Sequence, residues 1–394
     1  MAGNDNESQV EAALARLLDE HDPKGDTVEF LGAQYDLGLA WAHFPEGSGG
    51  LAVGPKAQIG IQQAIGAAGG PQAGPRNPLG IGMGGPVVAT HGTDEQKARW
   101  LRPLFTGEEF WCQLFSEPGA GSDLAGLACR AEQDGDEWIV NGQKVWNSGA
   151  HLAKWGMLVA RTDPQQPKHK GLTYFIVDME ADGVEVRPLR QMTGQAEFNE
   201  VYFTDARIPE ENRMGDIGDG WRVSLTTLMN ERVMIGGAVP RRGDGTIARA
   251  VKAWESAPYR DAATKDELMK LWVASEVSRI TNMRASQNRT AGTPGPEGSV
   301  GKIVAADLNK RITEFVMTLK GPDGMMYPDD YNEMLNRHSM DYRSDESYFL
   351  RCRANSIEGG TSEIMRNIIG ERVLGLPGDV RVDKDLPWVE VPRS

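Results

Sequence analysis

The amino-acid sequence predicts an α+β protein made of three successive units, which are helical, then β, then helical. Residues 8–22 have the apolar period of a helix, whereas residues 111–210 contain short apolar alternations separated by turn clusters. Helical periodicity returns at Gly220 and continues to about Leu374. We therefore expect a helical unit at 1–110, a β unit at 111–215 and a second helical unit at 216–394.

The first unit carries a clear helix start and a glycine-rich stretch. Thr93 and Gln96 form a capping box, which predicts a helix beginning there. Residues 56–92 alternate small apolar residues with Gly and Pro, which indicates closely packed, interrupted helices. The run from Gly80 matches the dinucleotide motif GxGxxG, but Gly-Pro-Arg-Asn-Pro at 74–78 is no strand, so helix packing through small residues is the better interpretation.

The middle unit has the pattern of an antiparallel barrel or sandwich. Its short apolar segments include 137–140, 157–160 and 173–177. Turn clusters separate them: Asp134-Gly-Asp, Asn141-Gly and Thr162-Asp-Pro.

Composition excludes several classes of function. The formal charge of −14 disfavours nucleic acid and anionic membrane surfaces as partners, and no apolar run reaches the ~18 residues that span a bilayer. Three cysteines without a CxxC pair, and a polar acidic start, predict a cytoplasmic protein without a signal peptide. Six histidines without a ligand-like cluster predict no catalytic metal.

Two motifs in the β unit are the most informative part of the chain. Ser-Glu-Pro-Gly-Ala-Gly-Ser-Asp at 116–123 is a tight turn with backbone N–H groups and a hydroxyl near each end, which suits a phosphate or the acceptor edge of a ring. Asn-Gly-Gln-Lys-Val-Trp-Asn-Ser-Gly at 141–149 indicates a turn, a strand and an aromatic residue followed by a small hydroxyl residue. Taken one at a time, these residues are better explained as turn residues of a β domain, with Trp146 in a core.

Together the two motifs resemble the flavin-binding middle domain of the acyl-CoA dehydrogenase family. A third segment, Gly-Gly-Thr-Ser-Glu-Ile-Met-Arg-Asn-Ile-Ile-Gly-Glu-Arg at 359–372, resembles the family's closing FAD-contact segment. The resemblance extends from about Trp41 to Pro377. It implies an acyl-CoA dehydrogenase-like fold, with an N-terminal helical domain, a middle β-barrel or sandwich and a C-terminal four-helix bundle.

The same resemblance implies a reaction and its cofactor. FAD would take part in the α,β-dehydrogenation of an acyl-CoA thioester to the trans-2-enoyl-CoA, and an electron-transfer flavoprotein would accept the electrons. A flavin ring needs hydroxyl or N–H donors at its acceptor edge and an aromatic wall against one face. Ser116 and Ser148 are the candidate donors, the first to the ring and the second near N5, and Trp146 is the candidate wall.

The resemblance assigns further cofactor contacts. Gly121 and Ser122 resemble the segment that faces the phosphate groups. The remaining contacts that it implies are Phe115, Thr361 and Glu363.

The reaction requires a carboxylate base in a water-poor pocket, and two residues compete for this role. Many family members carry the base directly before a Gly-Thr, where this chain has Gly359, and Glu358 lies one residue too early. In a second family arrangement, found in actinobacterial members, the base stands on the first helix of the C-terminal domain, before an arginine. Glu231 matches that position and shares a mostly apolar helical face, so we predict Glu231 as the base, with Glu358 as the alternative.

Two neighbours complete the predicted chemistry. The backbone N–H of Gly359 would polarise the thioester carbonyl, and Arg232 would order the pocket, as the resemblance implies. The competing interpretation of Glu231 is an ion pair with a neighbouring arginine.

The sequence also departs from the family pattern. Typical homotetrameric members carry an Arg followed by Phe-Gly that reaches the FAD of another subunit, and residues 250–260 lack this motif. The departures resemble actinobacterial members that act on bulky or branched acyl chains, some of which pair two different subunits. A homodimer, a homotetramer and a heteromer with a second acyl-CoA dehydrogenase chain therefore remain open.

Three other functions compete with the dehydrogenase. The chain could be a non-catalytic or half-site subunit of such a heteromer, or a flavin oxidase of the same fold with a non-thioester substrate. A nucleic-acid-binding relative is disfavoured by the charge of −14.

Overall fold

The computed structural model describes residues 2–236, 239–288, 298–327 and 344–392. Helices come first, a sheet follows, and helices return after it, so the predicted order is confirmed. In the described residues, no helix is both long and apolar enough to cross a membrane.

The N-terminal region consists of five helices and one π-helical turn. The helices are α1 (Ala2–Glu20), α2 (Thr27–Asp36), α3 (Ala57–Ala67), α4 (Gly85–His91) and α5 (Asp94–Thr106), with the π-helical turn at Gly80–Gly84. The capping box at Thr93 and Gln96 opens α5 as predicted, and Gly107 ends it with a φ of 76°.

The glycine-rich stretch before α4 packs closely against its neighbours. A Cβ atom on Gly84 would lie 3.1 Å from the ring of Trp111, and one on Gly85 would lie 2.7 Å from the ring of Trp41. No strand precedes the π-helical turn within residues 68–79. Close helix packing is therefore the confirmed role of the GxGxxG run.

The middle region is one eight-stranded sheet. Its strands are β1 (Trp111–Leu114), β2 (Arg130–Asp134), β3 (Glu137–Lys144), β4 (Trp155–Arg161), β5 (Leu172–Asp178), β6 (Val184–Leu189), β7 (Phe198–Pro209) and β8 (Arg213–Met214). The order is β6-β7-β3-β2-β4-β5-β8, and β1 pairs with β4 outside this path.

The expectation of a purely antiparallel sheet is wrong at β1. This strand runs parallel to β4, with Trp111 opposite Trp155, and β2 also meets β4 in parallel at Arg130 and Arg161. Such pairings join strands that are distant in sequence, so local alternation and turn patterns do not reveal them.

The C-terminal region is a helical bundle. Among the described residues of this region, the helices are α6 (Gly220–Gly236), α7 (Thr246–Ser256), α8 (Ala262–Asn288), α9 (Gly298–Lys320), α10 (Asp345–Arg351) and α11 (Ser362–Ile368), followed by a π-helical turn at Ile369–Val373. Helix α9 contacts α6, α7 and α8. Leu271, Ile312 and Phe315 are among the buried residues of the bundle.

Helix α6 joins the three regions. Val223 is fully buried in the same apolar cluster as Trp111 of β1 and Tyr174 of β5, and Leu228 packs against that cluster. After the last helix the chain returns to the sheet, where the Trp388 indole donates to the carbonyl of Gly126 at 3.1 Å. The fold thus places α6 against one face of the sheet.

Candidate active site

The two motifs of the β region are joined by a buried ion pair. Lys144 is fully buried, and its Nζ lies 2.8 Å from Oε1 of Glu117 and 3.1 Å from the carbonyl oxygen of Phe115. Glu117 also accepts the backbone N–H groups of Ala128 and Cys129. A backbone hydrogen bond from Val145 to Ser116 completes the junction. The segments at 116–123 and 141–149 therefore lie side by side.

Trp146 is displayed at the surface of this junction. Its side chain is 60% exposed, and its φ of 63° is rare for a residue with a side chain. The indole contacts Phe198 edge to face, with ring centroids 5.9 Å apart. Trp146 is therefore not a core residue, and strain of this kind is typical of functional sites.

The other motif residues differ in how they are presented. Ser116 and Ser148 are partly exposed, and Gly121 and Ser122 are exposed, with open space where a Cβ of Gly121 would stand. Phe115 differs, because its side chain is buried and contacts the ring of Tyr174. A cofactor contact from Phe115 would therefore have to come from its backbone.

Glu231 lies on the face of α6 that covers the sheet. Thr227 and Ser224, one and two helical turns before it, are fully buried. The hydroxyl of Thr227 lies 3.1 Å from that of Tyr174. Glu231 itself is partly buried, and Nε2 of Gln113 donates to its Oε2 at 3.3 Å.

The surroundings of Glu231 make its carboxyl group more basic. Burial raises the pKa of Glu231 above the ordinary value of 4.5, and the negative charge of Glu358 acts in the same direction. The hydrogen bond from Gln113 and the charges of Arg232 and Lys302 oppose this rise. In the part of the chain that the structure describes, no arginine or lysine nitrogen lies within 4 Å of the carboxylate, so the ion-pair interpretation of Glu231 finds no support there.

Glu358 is held by other side chains. Arg351 donates to both of its carboxylate oxygens, at 3.1 and 2.7 Å, and Asn355 donates to Oε1 at 2.6 Å. The same guanidinium lies 3.7 Å from Oε1 of the buried Glu197. The carbonyl of Glu197 accepts the N–H of Gly149, the residue after Ser148.

The glycine turn after Glu358 is fixed by a buried lysine. Gly359 and Gly360 have φ values of 64° and 93°, which favour glycine. Lys302 of α9 is 1% exposed, and its Nζ donates to the carbonyl of Gly360. Burial lowers the pKa of Lys302, and the charges of Glu358 and Glu231 oppose this effect.

The last two predicted contacts lie at the start of α11. The hydroxyl of Thr361 caps this helix by accepting the N–H of Ile364 at 3.2 Å. Glu363 is exposed and forms an ion pair with Arg366 at 3.2 Å.

Comparison with known proteins identifies the fold and its family. Three family models match the chain in succession: the acyl-CoA dehydrogenase N-terminal domain at 7–108, the middle domain at 112–206 and the C-terminal domain at 218–374. The chain belongs to the acyl-CoA dehydrogenase family. It is an oxidoreductase of this family, and the family is FAD-dependent.

Mycobacterial relatives are similar over most of the chain. Acyl-CoA dehydrogenase IpdE1 of Mycobacterium tuberculosis is 36% identical over 351 residues, which cover 87% of this chain and 86% of the relative. Acyl-CoA dehydrogenase FadE34 of the same organism is 38% identical over 345 residues, covering 87% of this chain but 45% of FadE34. This acyl-CoA dehydrogenase therefore spans less than half the length of FadE34.

Solved structures of the family have the same fold. The ChsE4–ChsE5 complex from Mycobacterium tuberculosis contains a chain with a TM-score of 0.70 and 25% identity, covering 95% of this chain and 98% of that one. The acyl-CoA dehydrogenase of Geobacillus kaustophilus has a TM-score of 0.71 at 24% identity, covering 94% and 98%.

The residues of this acyl-CoA dehydrogenase fit a flavin. The partly exposed residues Ser116 and Ser148 carry hydroxyl donors on adjoining segments, and the exposed ring of Trp146 offers an aromatic face. The exposed turn at Gly121 and Ser122 leaves its backbone open to a phosphate.

Sequence reasoning missed three residues beside Glu231 and Glu358. They are Gln113, Lys302 and Arg351. A weak signal existed for Lys302, which is a lone charge in the small and apolar run Ser-Val-Gly-Lys-Ile-Val-Ala-Ala at 299–306. Gln113 gave no such signal, because one polar residue in a short strand is ordinary.

Proposed function

We propose that this acyl-CoA dehydrogenase converts an acyl-CoA thioester to its trans-2-enoyl-CoA, with Glu231 as the base that removes the α proton. FAD, when bound, supplies the acceptor for the β hydride at N5. The observation that carries the proposal is the contrast between two carboxylates. Glu231 is partly buried beside a neutral amide, whereas Glu358 is engaged by Arg351.

A base of this reaction must hold a proton weakly enough to release it and strongly enough to take it from carbon. Burial raises the pKa of Glu231 and so strengthens it as a base. Its place on the buried face of α6 also limits access of water. Glu358 has a different environment, because the guanidinium of Arg351 engages both of its carboxylate oxygens.

The thioester carbonyl needs a donor as charge develops on its oxygen. We assign this role to the N–H of Gly359, with Gly360 and Lys302 holding the turn in place. Arg232 adjoins Glu231 on α6 and contributes a positive charge that lowers the pKa of Glu231. Ser116, Ser148 and Trp146 would hold the flavin, and Gly121 and Ser122 its phosphates.

An exposed apolar face on α8 supports an oligomer. Val273, Val277 and Ile280 are more than half exposed and lie on one side of the helix. We propose that a second acyl-CoA dehydrogenase chain covers this face. The ChsE4–ChsE5 complex contains two different chains by its name, so both a homomer and a heteromer are to be tested.

The decisive experiment uses the purified protein and its visible spectrum. The flavin-to-chain ratio is measured first, and acyl-CoAs of increasing length and branching, including a sterol side-chain thioester, are then added without oxygen. Bleaching of the flavin by one class of acyl-CoA supports the proposal. The Glu231→Gln protein should retain its flavin but no longer be bleached by acyl-CoA, whereas the Glu358→Gln protein should still be bleached.

Other outcomes identify the competing functions. A flavin-free protein with no response until a second chain is added would show a half-site subunit, as the absent Arg and Phe-Gly motif suggests. Oxygen consumption with a non-thioester substrate, and no bleaching by any acyl-CoA, would show a flavin oxidase.

A further inference from the structure

Gln113 lies on the face of the sheet that α6 covers. Alternate residues of a strand point to opposite faces, so Gln113 shares a face with Trp111, whereas Cys112 and Leu114 belong to the apolar cluster on the other face. The cluster around Trp111 includes Val223 of α6. An amide at this position is therefore directed at the helix that carries Glu231.

The side-chain amide and the backbone carbonyl of Gln113 are both hydrogen-bonded. Its side-chain Nε2 donates to Oε2 of Glu231 at 3.3 Å, and its backbone carbonyl accepts from Nδ2 of Asn147 at 2.7 Å. Asn147 is itself buried and exchanges hydrogen bonds with Asn199 of β7, at 3.0 and 2.9 Å. Gln113 thus joins the carboxylate of α6 to the segment that carries Ser148.

We propose that Gln113 is a positioning residue, which fixes the Glu231 carboxylate relative to the strand end that carries Ser148. The inference rests on the proposed function, in which Glu231 acts on a carbon near the flavin edge. Because an amide is neutral, Gln113 orients the carboxylate of Glu231 without neutralising its charge. Arg351, in contrast, pairs a positive charge with the carboxylate of Glu358. The base is held in place and remains a base.

Every charged group that faces Glu231 must be considered in a test by pH. Arg232 lies on the same helix, Lys302 comes from α9, and Glu358 comes from the loop before Gly359. None of these three is altered when Gln113 is replaced. A donor to a carboxylate favours its charged form, so loss of the Gln113 amide should raise the pKa of Glu231 further.

The test replaces Gln113 by Met, which has nearly the same shape and no N–H donor. The matched control is Gln143→Met on β3, since Gln143 donates to Glu200 at 3.2 Å and to Tyr202 at 3.1 Å in the same way. We expect Gln113→Met to lower the rate of flavin bleaching about ten-fold, as loss of one hydrogen bond to a charged group predicts, at unchanged KM. In the Gln113→Met enzyme, the fall in the bleaching rate at acidic pH should begin at a higher pH. Gln143→Met should do neither.

A second readout does not depend on turnover. The stability of four proteins is compared across pH: the natural chain, Gln113→Met, Glu231→Gln and the double variant. If the two side chains interact as proposed, Glu231→Gln will change the stability at neutral pH by more in the Gln113→Met protein than in the natural chain. Equal effects in both backgrounds, or a Gln113→Met enzyme with the rate and pH profile of Gln143→Met, would overturn the proposal.

The two proposals fail in different ways. An active Glu231→Gln enzyme would disprove Glu231 as the base, whatever the stability cycle shows. An inactive Glu231→Gln enzyme with no coupling to Gln113 would disprove the positioning role alone.

Discussion

Arg351 donates Nη1 to Oε1 and Nη2 to Oε2 of Glu358, at 3.1 and 2.7 Å. Its guanidinium also lies 3.7 Å from the buried carboxylate of Glu197, and the carbonyl of Glu197 accepts the N–H of Gly149. Glu358 therefore connects the loop before Gly359 to the segment after Ser148. We infer that the carboxylate one residue before the usual family position serves as an anchor.

Replacing the two members of this pair should have different effects. Glu358→Gln should leave the rate of flavin bleaching within about three-fold, because the proposed base is Glu231. Arg351→Met should destabilise the protein by about 3 kcal/mol, because it removes the cation that lies against the buried carboxylate of Glu197 and the partly buried carboxylate of Glu358. Denaturant unfolding measures the second effect. Loss of bleaching in a stably folded Glu358→Gln protein would instead assign the base to Glu358.

Glu231→Gln should lower the rate of dehydrogenation by about a thousand-fold, which is the usual contribution of a general base. In the natural enzyme, activity should fall on acidification through a pKa that lies above 4.5, because the base must be deprotonated. Stopped-flow bleaching at several pH values measures this limb. A rate that stays constant down to the ordinary carboxyl range would contradict the assignment.

The same raised pKa predicts a pH-dependent stability change. A carboxyl whose pKa is higher in the folded than in the unfolded state stabilises the fold below the unfolded pKa, and this contribution is lost as pH rises through the folded pKa. Glu231→Gln should therefore unfold at a higher temperature than the natural chain at neutral pH, and the advantage should vanish below about pH 4. Calorimetry at both pH values tests this; an advantage that persists in acid would point to packing as its cause.

Local patterns predicted the parts of this fold that are local in origin. The capping box at Thr93 and the glycine-rich run at 80–85 each act within a few residues, and both were interpreted correctly. The parallel pairing of β1 with β4 was missed, since it joins residues more than 40 apart in sequence.

The candidate site shows the same division. Glu231 was predicted from the family resemblance together with its place on an apolar helical face, and Trp146 from the resemblance of the motif at 141–149. Gln113 and Lys302 touch the site only through tertiary contacts with α6 and with Gly360. The sequence around Gln113 and Lys302 does not distinguish a polar residue that contacts the candidate site from one that contacts solvent.

Lys302→Met should reduce turnover without unfolding the protein. The variant removes the hydrogen bond to Gly360, which loosens the turn that carries the Gly359 N–H. It also removes a positive charge that lowers the pKa of Glu231, so the acid limb should move to higher pH. We expect kcat to fall at least about ten-fold. Complete loss of a preorganised donor usually has a larger effect, but here the Gly359 N–H is loosened and not removed.

The control for this prediction lies on the same helix. Lys310 donates to the hydroxyl of Ser356 at 2.7 Å, two turns along α9 from Lys302. Lys310→Met should therefore alter neither the rate nor the pH profile. If both lysine variants behave alike, Lys302 has a role in folding rather than in the site.

The Lys144–Glu117 pair should be required for flavin binding, because it holds the segments of Ser116 and Ser148 together. Lys144→Met leaves Glu117 without its cation and should cost about 3 kcal/mol of unfolding free energy, with loss of bound flavin. Arg187→Met breaks the exposed pair with Glu185 and should leave the unfolding free energy nearly unchanged, because exposed ion pairs contribute little to stability. Unfolding curves and flavin-to-chain ratios of both variants test this. Equal stability of the two, with flavin retained in Lys144→Met, would mean that the segments keep their places without the buried pair.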